Sequence, residues 1–189
     1  RDAGAGLSVV GCEPPEVYCL KHEYIALLPE RRAEIESITS RVWLVEEFLL
    51  RSGILDDLRI ARKINEIPLG KAEAKITFHP HCHQRAEAPA SDGLPAGVPA
   101  TAMLLRAFGY EVEVMEAGCC GMAGSFGYEK EHYELSKNIG ELAMLPAIRH
   151  AIQENPDILI ATSGVSCKAQ IEQGIQQKAI HPVELLLFD

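Results

Sequence analysis

Two adjacent cysteines, Cys119 and Cys120, begin the segment CCGMAGSFG, in which glycine recurs at every third position. Cysteine thiolates are soft ligands that suit transition metals and iron–sulfur clusters. Glycine lets the backbone approach such a group closely and donate N–H hydrogen bonds to its sulfur atoms. The segment therefore predicts a metal or cluster site, with Gly121 and Gly124 shaping the backbone around it.

Four of the six cysteines follow segments that have the composition of β-strands. The pairs are residues 74–78 with Cys82, residues 111–115 with Cys119 and Cys120, and residues 157–162 with Cys167. The carboxyl ends of parallel strands meet at one edge of a sheet, where ligands bind. We therefore expect three loops to bring these four thiols to one point. A disulfide between adjacent cysteines would close a strained ring, so a shared metal site is favoured.

Histidines surround the first of these cysteines, at positions 79, 81 and 83. A zinc ion bound by mixed sulfur and nitrogen ligands is therefore chemically open, with His81 and His83 as candidate ligands beside the thiols. Capping a helix or filling a turn is an equally open role for these side chains.

Strand-like segments alternate with helical patterns along the chain. Besides the three segments above, residues 7–11 have strand character, and helical periodicity covers residues 31–51, 99–108, 131–153 with a break at Pro146, and 166–176. This alternation predicts an α/β fold with a mainly parallel sheet, right-handed crossovers and helices on both faces. The apolar face of the helix over residues 31–51 predicts that it docks against another part of the protein.

The composition is that of a globular protein, with a net charge of −9 and no cluster of basic residues. This charge argues against nucleic-acid binding. No apolar run is long enough for a membrane span and there is no signal-peptide pattern, so we expect a cytoplasmic protein with reduced cysteines. We interpret Cys12 and Cys19 as small buried hydrophobic residues. Because the chain begins with Arg1 and not with methionine, we expect a piece of a longer polypeptide.

In order and spacing, Cys82, the CCG segment and Cys167 resemble the cysteine-rich CCG-domain family. That family includes the cysteine-rich subunit of heterodisulfide reductase, the iron–sulfur subunits of glycolate oxidase and of anaerobic glycerol-3-phosphate dehydrogenase, and lactate-utilisation proteins. The sequence is most similar to the carboxyl-terminal iron–sulfur part of fused FAD-linked oxidases of the D-lactate or D-2-hydroxyacid dehydrogenase type. The matching stretches are residues 13–18, 45–49, 79–83, 119–129, 162–167 and 181–184, which are spread over nearly the whole chain.

The resemblance implies that Cys82, Cys119, Cys120 and Cys167 bind a [4Fe-4S] cluster. Electrons would pass from a flavin, reduced by a small 2-hydroxy acid, toward a quinone or another acceptor. The implied partners are an FAD-binding domain or subunit upstream and the ferredoxin-like domain that such proteins often carry. Peripheral association with the inner membrane is compatible with this role.

Many relatives contain two cysteine-rich modules. By resemblance, residues 1–69 are the tail of a first module with the docking helix, and residues 70–189 are a CCG-type module. Two residues depart from the family pattern: Glu16 replaces the cysteine of a Glu-Pro-Ser-Cys motif, and Gly164 replaces the first cysteine of a Cys-x-x-Cys motif. The glycine at position 164 favours a four-thiolate [4Fe-4S] site over a five-thiol noncubane cluster and leaves a zinc site open, whereas Glu16 implies that the site of the first module is truncated, altered or lost.

Two other functions are compatible with the same residues. The four cysteines could hold zinc in a structural module that docks the flavin domain. Alternatively, Cys119 or Cys120 could be a nucleophilic thiol in disulfide chemistry, activated by His81 or His83.

Overall fold

All the strands that the structure describes run parallel to their neighbours. The computed structural model describes residues 6–58 and 74–187. The strands are β1 (Val9–Gly11), β2 (Val42–Leu44), β3 (Lys75–His79), β4 (Glu111–Val114), β5 (Leu159–Thr162) and β6 (Ala179–Ile180). β1 pairs with β2, and the other four form a sheet in the order β4-β3-β5-β6. The predicted parallel sheet is confirmed.

Short helices connect these strands. They are α1 (Pro14–Tyr18), α2 (Tyr24–Leu27), α3 (Arg32–Thr39), α4 (Val45–Ser52), α5 (Cys82–Ala86), α6 (Gly97–Ala107), α7 (Tyr133–Leu142), α8 (Met144–Glu154), α9 (Val165–Ile175) and α10 (Glu184–Leu187). A π-helical turn, Cys19–Glu23, joins α1 to α2, and 3₁₀ turns cover Pro29–Arg31 and Phe126–Tyr128. None of the helices within the described ranges is long and apolar enough to cross a membrane.

Helices cover both faces of the four-stranded sheet. Because alternate residues of a strand point to opposite faces, neighbouring strand residues show which helix packs on each face. On one face, Phe78 of β3 and Ala161 of β5 belong to the same hydrophobic cluster as Leu104 of α6. On the other face, Ile160 of β5 belongs to a cluster with Ile148 of α8. The α/β fold predicted from the sequence, with helices on both faces of the sheet, is therefore confirmed.

The prediction of a single docking helix over residues 31–51 is wrong. The chain forms α3, then the strand β2, and then α4. Val42 and Leu44 of β2 are buried beside Val17 and Tyr18 of α1, in a small core of their own. β-branched and aromatic residues fit a paired strand well, so the pairing and burial of this segment outweigh its helical periodicity.

The break that the sequence predicts at Pro146 lies three residues earlier. α7 ends at Leu142, Ala143 has a φ of −150°, and α8 begins at Met144. Pro146 is therefore in the first turn of α8. No intrahelical hydrogen bond is lost there, because the first N–H groups of a helix have no partner within it.

The two predicted modules, residues 1–69 and 70–189, meet at a boundary that lies outside the described residues. Elements on its two sides nevertheless lie against each other: α1 contacts α5, and α4 contacts α6. The N-terminal part of the chain therefore reaches the side of the sheet where the candidate cysteines lie.

Two neighbouring glutamates of α4, Glu46 and Glu47, are fully buried. Oε1 of Glu47 accepts hydrogen bonds from the Tyr18 hydroxyl and the Gly97 N–H, each at 2.8 Å. Its Oε2 lies 3.9 Å from Nζ of Lys21. Glu47 thus ties α1, the π-helical turn and α6 to α4, and its burial is compensated by these partners.

Glu46 has far fewer partners. The Ser163 hydroxyl donates a hydrogen bond of 3.4 Å to its Oε1, and its Oε2 has no hydrogen-bond partner. Burial disfavours the charged form and, with some repulsion from Glu47, raises the pKa of Glu46 to about 7.

We expect Glu46 to make the protein less stable as the pH rises. The folded protein keeps the Glu46 proton up to about pH 7, whereas an unfolded chain releases it near about pH 4.3. Stability should therefore fall between these two values, by about 4 kcal/mol, and E46Q should lack this part of the pH dependence. Urea unfolding of the wild type and E46Q across this range measures the difference in the free energy of unfolding. A difference that stays constant with pH would contradict a raised pKa.

Candidate metal or cluster site

The carboxyl ends of β4, β3 and β5 lie side by side in the sheet, and the four candidate cysteines follow them. Cys119 and Cys120 lie in the loop after β4. Cys82 is the first residue of α5, and Cys167 is the third residue of α9. The sequence placed Cys82 in a loop and Cys167 at the start of a helix, and the structure has both in the first turns of helices.

All four cysteine side chains line one small cavity of about 140 Å³, which we call the inner cavity. The other residues that line it are His79, Pro80, Arg85 and Gly118. A second cavity of about 530 Å³, the outer cavity, adjoins it, because Cys82, Cys119 and Cys120 line both. The structure therefore brings the four thiols to the wall of one cavity.

Cys120 and Cys167 are buried and in hydrogen-bond contact. Their Sγ atoms are 3.4 Å apart, with the Cys167 thiol donating to Cys120. This contact lowers the pKa of Cys120 to about 6 and raises the pKa of Cys167, so the pair shares one proton at neutral pH. The largest cause of the lowered pKa is thus Cys167, whereas the hypothesis of a nucleophilic thiol assigned activation to His81 or His83.

The glycine-rich segment after Cys120 turns backbone N–H groups toward the two adjacent sulfur atoms. The Gly121 N–H lies 3.3 Å from Sγ of Cys119. Hydrogen bonds from the N–H groups of Met122 and Ala123 help to lower the pKa of Cys120. Gly121 and Ala123 have positive φ values of 94° and 45°, a backbone conformation in which successive N–H groups converge on an anion. The segment therefore stabilises negative charge on sulfur.

The two glycines singled out from the sequence differ in what they do. Gly121 needs both its conformation and its space, since a Cβ atom there would collide with the carbonyl oxygen of Ser136 in α7. Gly124 also has a left-handed φ, of 67°, but open space surrounds it, and it lines the outer cavity. Gly121 thus fixes the segment against α7, while Gly124 lies at the wall of the outer cavity.

His81 is the N-cap residue of α5. Its Nδ1 accepts a hydrogen bond from the His83 N–H at 3.2 Å, and its backbone N–H donates to Oε1 of Gln84 at 3.1 Å. This reciprocal pair is a capping box. Sγ of Cys82 lies 3.7 Å from the same Nδ1. The capping role that the sequence left open for the histidines is therefore the one observed for His81.

Both candidate histidine ligands, His81 and His83, line the outer cavity, and neither lines the inner cavity. Their ring centroids are 5.3 Å apart. Burial, followed by the nearby charge of His83, lowers the pKa of His81 to about 4, so its imidazole is neutral. The two rings therefore lie on the outer side of the thiols.

Two buried polar atoms at this edge of the sheet have no hydrogen-bond partner. They are Nδ1 of His79, which lines the inner cavity, and Oγ1 of Thr162, the residue that pairs with His79 across β3 and β5. Buried polar atoms without a partner are rare in proteins. The position of His79 is what we expect where a bound group completes the site, whereas Thr162 lines neither cavity.

The donor set fits an iron–sulfur cluster better than a single metal ion. Across residues 6–58 and 74–187, no three His, Cys, Asp or Glu side chains are grouped so that they could hold one ion. In a [4Fe-4S] cluster each cysteine binds a separate iron, so thiols spread around a cavity are a suitable arrangement. The N–H groups after Cys120 and the charge of Arg85 in the cavity wall complement thiolate and sulfide.

Residues from the N-terminal part of the chain line the outer cavity with the cysteines. Glu13 and Glu16 are both among them. Oε2 of Glu13 accepts a hydrogen bond from the Val165 N–H at 2.9 Å, at the start of α9. Sequence reasoning noted that Glu16 stands in the place of a family cysteine and did not assign Glu13 to the site. The Glu-Pro-Pro-Glu motif that contains both residues was the available signal.

Cys12 and Cys19 line neither of these two cavities. Cys12 is exposed and Cys19 is half-buried. The interpretation of Cys12 and Cys19 as small buried hydrophobic residues is therefore wrong. Cys12 lies in the short connection between β1 and α1, and Cys19 begins the π-helical turn.

Residues 76–172 match the family of cysteine-rich domains named CCG. The matched range contains β4, β5, all of β3 except Lys75, and all four cysteines of the inner cavity, and it covers more than half of the chain. The chain belongs to the CCG cysteine-rich domain family. The resemblance inferred from the cysteine pattern is therefore confirmed.

Curated relatives of this CCG-domain chain include dehydrogenases. D-2-hydroxyglutarate dehydrogenase of Escherichia coli K12 is 30% identical over 187 residues, which are 99% of this chain and 16% of that protein. The enzyme of the same name from Haemophilus influenzae is 27% identical over 187 residues, 99% of this chain and 17% of that protein. One subunit of anaerobic glycerol-3-phosphate dehydrogenase from Escherichia coli K12 is 32% identical over 143 residues, 71% of this chain and 33% of that protein. The CCG-domain chain thus spans only a small part of these relatives.

Proposed function

We propose that this CCG-domain chain is the iron–sulfur electron-transfer part of a flavin-dependent dehydrogenase. The observation that carries the proposal is the position of Cys82, Cys119, Cys120 and Cys167 around one small cavity at the carboxyl edge of the sheet. We assign these four thiols as the ligands of a [4Fe-4S] cluster, because cysteine thiolates are the usual ligands of such clusters.

The chain's own residues prepare the site for a negatively charged group. The N–H groups of Gly121, Met122 and Ala123 are directed at the sulfur atoms of the adjacent pair, and Arg85 lies in the cavity wall. Hydrogen bonds and positive charge of this kind favour the reduced, more negative state and so raise the reduction potential. When bound, an iron–sulfur cluster supplies one-electron transfer between a donor and an acceptor.

The electron donor in this proposal is FAD, bound by a part of the protein outside this chain. The relatives aligned over 99% of the chain are named D-2-hydroxyglutarate dehydrogenases, and the aligned part is only 16% or 17% of their length. Their remaining length is large enough for a flavin domain and a ferredoxin-like domain. We accordingly propose a small 2-hydroxy acid as the substrate that reduces the flavin.

The outer cavity is the side from which we propose that the electron acceptor approaches. Its volume of about 530 Å³ is within the range of small-molecule sites. Tyr128 and Val165 in its wall are 61% and 66% exposed, which offers apolar surface to a ligand. The carboxylates of Glu13 and Glu16 disfavour an anion there. These features support an uncharged acceptor such as a quinone.

Anaerobic reconstitution with iron and sulfide tests the assignment. We expect about four iron and four sulfide ions per chain, and a brown colour that fades on reduction and returns when a water-soluble quinone is added. Binding of one equivalent of zinc and no iron would support the alternative function, in which the four cysteines hold zinc in a structural module that docks the flavin domain. A colourless protein whose four thiols all react with an alkylating reagent would contradict metal binding.

One observation favours thiol–disulfide chemistry as a second candidate function. The Sγ atoms of Cys120 and Cys167 are 3.4 Å apart, and the lowered pKa of Cys120 is typical of a reactive thiol. The Cys120 thiolate would attack a small disulfide and expel one of its halves as a thiolate; Cys167 would then displace the second half, which leaves a Cys120–Cys167 disulfide and two small thiols, one of them carrying the proton of Cys167. This function predicts that the Cys120–Cys167 disulfide still forms and is reduced reversibly in glutathione buffers in the variants C82S and C119S. Loss of function in all four serine variants would favour the cluster.

A further inference from the structure

The ring of His81 occupies the space next to Gly164, where the helices that carry Cys82 and Cys167 meet. A Cβ atom at position 164 would collide with Cδ2 of His81 and lie 3.2 Å from its Cγ. The same atom would lie 3.4 Å from Sγ of Cys167. Nδ1 of His81 lies 3.7 Å from Sγ of Cys82. The imidazole is therefore a spacer between the first turns of α5 and α9.

Space, and not backbone conformation, explains the glycine at position 164. Gly164 has φ −93° and ψ 130°, a conformation that any residue adopts. It is the N-cap of α9, where Ser, Thr, Asp or Asn would stabilise the helix. The side chain of each of these residues would begin at the position that His81 blocks. Glu13 instead satisfies the Val165 N–H from outside the helix.

The His81 ring is fixed in this position by several contacts. Its Nδ1 accepts a hydrogen bond from the His83 N–H, and its backbone N–H donates a hydrogen bond to the Gln84 side chain. The Gln84 amide in turn donates to the Thr101 hydroxyl at 3.1 Å. Moving the ring away from α9 would break the cap of α5, so the ring does not simply swing aside to admit a side chain at position 164.

We infer that His81 and Gly164 are a matched steric pair that sets the spacing of Cys82 and Cys167 and excludes a fifth ligand from position 164. The first part follows from the contacts alone. The second part rests on the proposed function, because it limits the ligands of the bound group to four thiols. His81 is thus a positioning residue that selects the kind of group the site holds.

Thermal unfolding of the metal-free chain tests the steric pair without a cofactor. G164A should lower the melting temperature by about 5 °C, because the added methyl group meets a fixed ring. The matched background is H81N, whose side chain keeps an oxygen that can cap α5 but lacks the outer ring atoms. In H81N, G164A should not lower the melting temperature further. An equal fall in both backgrounds would overturn the pair.

The limit to four thiols is tested with G164C. After anaerobic reconstitution, we expect this variant to bind about tenfold less iron than the wild type and to leave its added thiol open to alkylation. In the double variant H81N/G164C, the added thiol should be protected and the iron content restored. Full iron binding by G164C alone, with all five thiols protected, would overturn selection by His81.

The two measurements separate failure of this inference from failure of the proposed function. If the wild type binds no iron, the proposed function and the thiol limit both fail. The melting temperatures of the metal-free wild type, G164A, H81N and H81N/G164A then decide whether His81 and Gly164 form a steric pair.

Discussion

Serine at any one of Cys82, Cys119, Cys120 or Cys167 is expected to lower the iron content of the reconstituted protein by about tenfold or more. Each of the four thiols lines the inner cavity. An alcohol oxygen is a poor replacement for a thiolate on cluster iron. Since the four thiols are assigned to one group, the loss of any one should release the whole group. Iron and sulfide analysis after anaerobic reconstitution measures this loss.

Stability without metal separates the loss of a ligand from misfolding. Cys82 and Cys119 are exposed, so their serine variants should change the free energy of unfolding by less than about 0.5 kcal/mol. Cys120 and Cys167 are part of the hydrophobic core under α8 and α9, and a hydroxyl there should cost about 1–2 kcal/mol. Loss of iron in C82S and C119S therefore reports on ligation alone.

Cys12 and Cys19 are matched controls within the same chain. Both are free thiols outside the two cavities. We expect C12S and C19S to keep the iron content of the wild type. A loss of iron in C19S would mean that the N-terminal part of the chain supplies a ligand. If C167S kept the iron content of the wild type, Cys167 would not be a ligand and the four-thiol assignment would be wrong.

The second large effect is expected at Glu47, where E47A should lower the free energy of unfolding by about 3–5 kcal/mol. The Tyr18 hydroxyl and the Gly97 N–H would lose their acceptor, and the Leu44 N–H would lose a bond of 3.3 Å to Oε2. Each buried donor left without a partner costs about 1–3 kcal/mol. Urea unfolding at constant pH measures the loss.

Glu46 provides an isosteric control for this experiment. E46Q keeps an oxygen for the Ser163 hydroxyl and places its amide where Oε2 has no partner, so we expect a change of less than about 1 kcal/mol below about pH 4, where Glu46 is protonated in both the folded and the unfolded protein. E47Q places an amide beside the Leu44 N–H and Lys21, two groups that need an acceptor. E47Q should therefore cost more than E46Q. Equal losses would mean that the hydrogen bonds of Glu47 contribute little to stability.

The strands that lead to the cysteines could be predicted because each is a short run of strand-forming residues that is followed by a small or polar turn. β3 and β5 begin or end within one or two residues of the predicted segments. β2 could not be separated from the helical pattern around it, because its identity depends on pairing with β1, far away in sequence. β6, with two residues, is too short to show any periodicity.

The grouping of the four thiols could be predicted because a parallel sheet has a single carboxyl edge. The finer contacts could not. Proton sharing between Cys120 and Cys167 depends on a distance of 3.4 Å that sequence spacing does not fix. The bond between Glu13 and Val165 joins residues 152 positions apart, without any local pattern to indicate it.

The bond between Glu13 and Val165 also decides how much of the chain an experimenter should express. The family match covers residues 76–172, so a fragment cut at those limits would contain every proposed ligand. It would nevertheless lack the carboxylate that caps the helix bearing Cys167, as well as the wall formed by Glu16 on one side of the outer cavity. Water and oxygen would then reach the thiols more freely. The smallest useful protein is therefore larger than the segment by which the family is recognised.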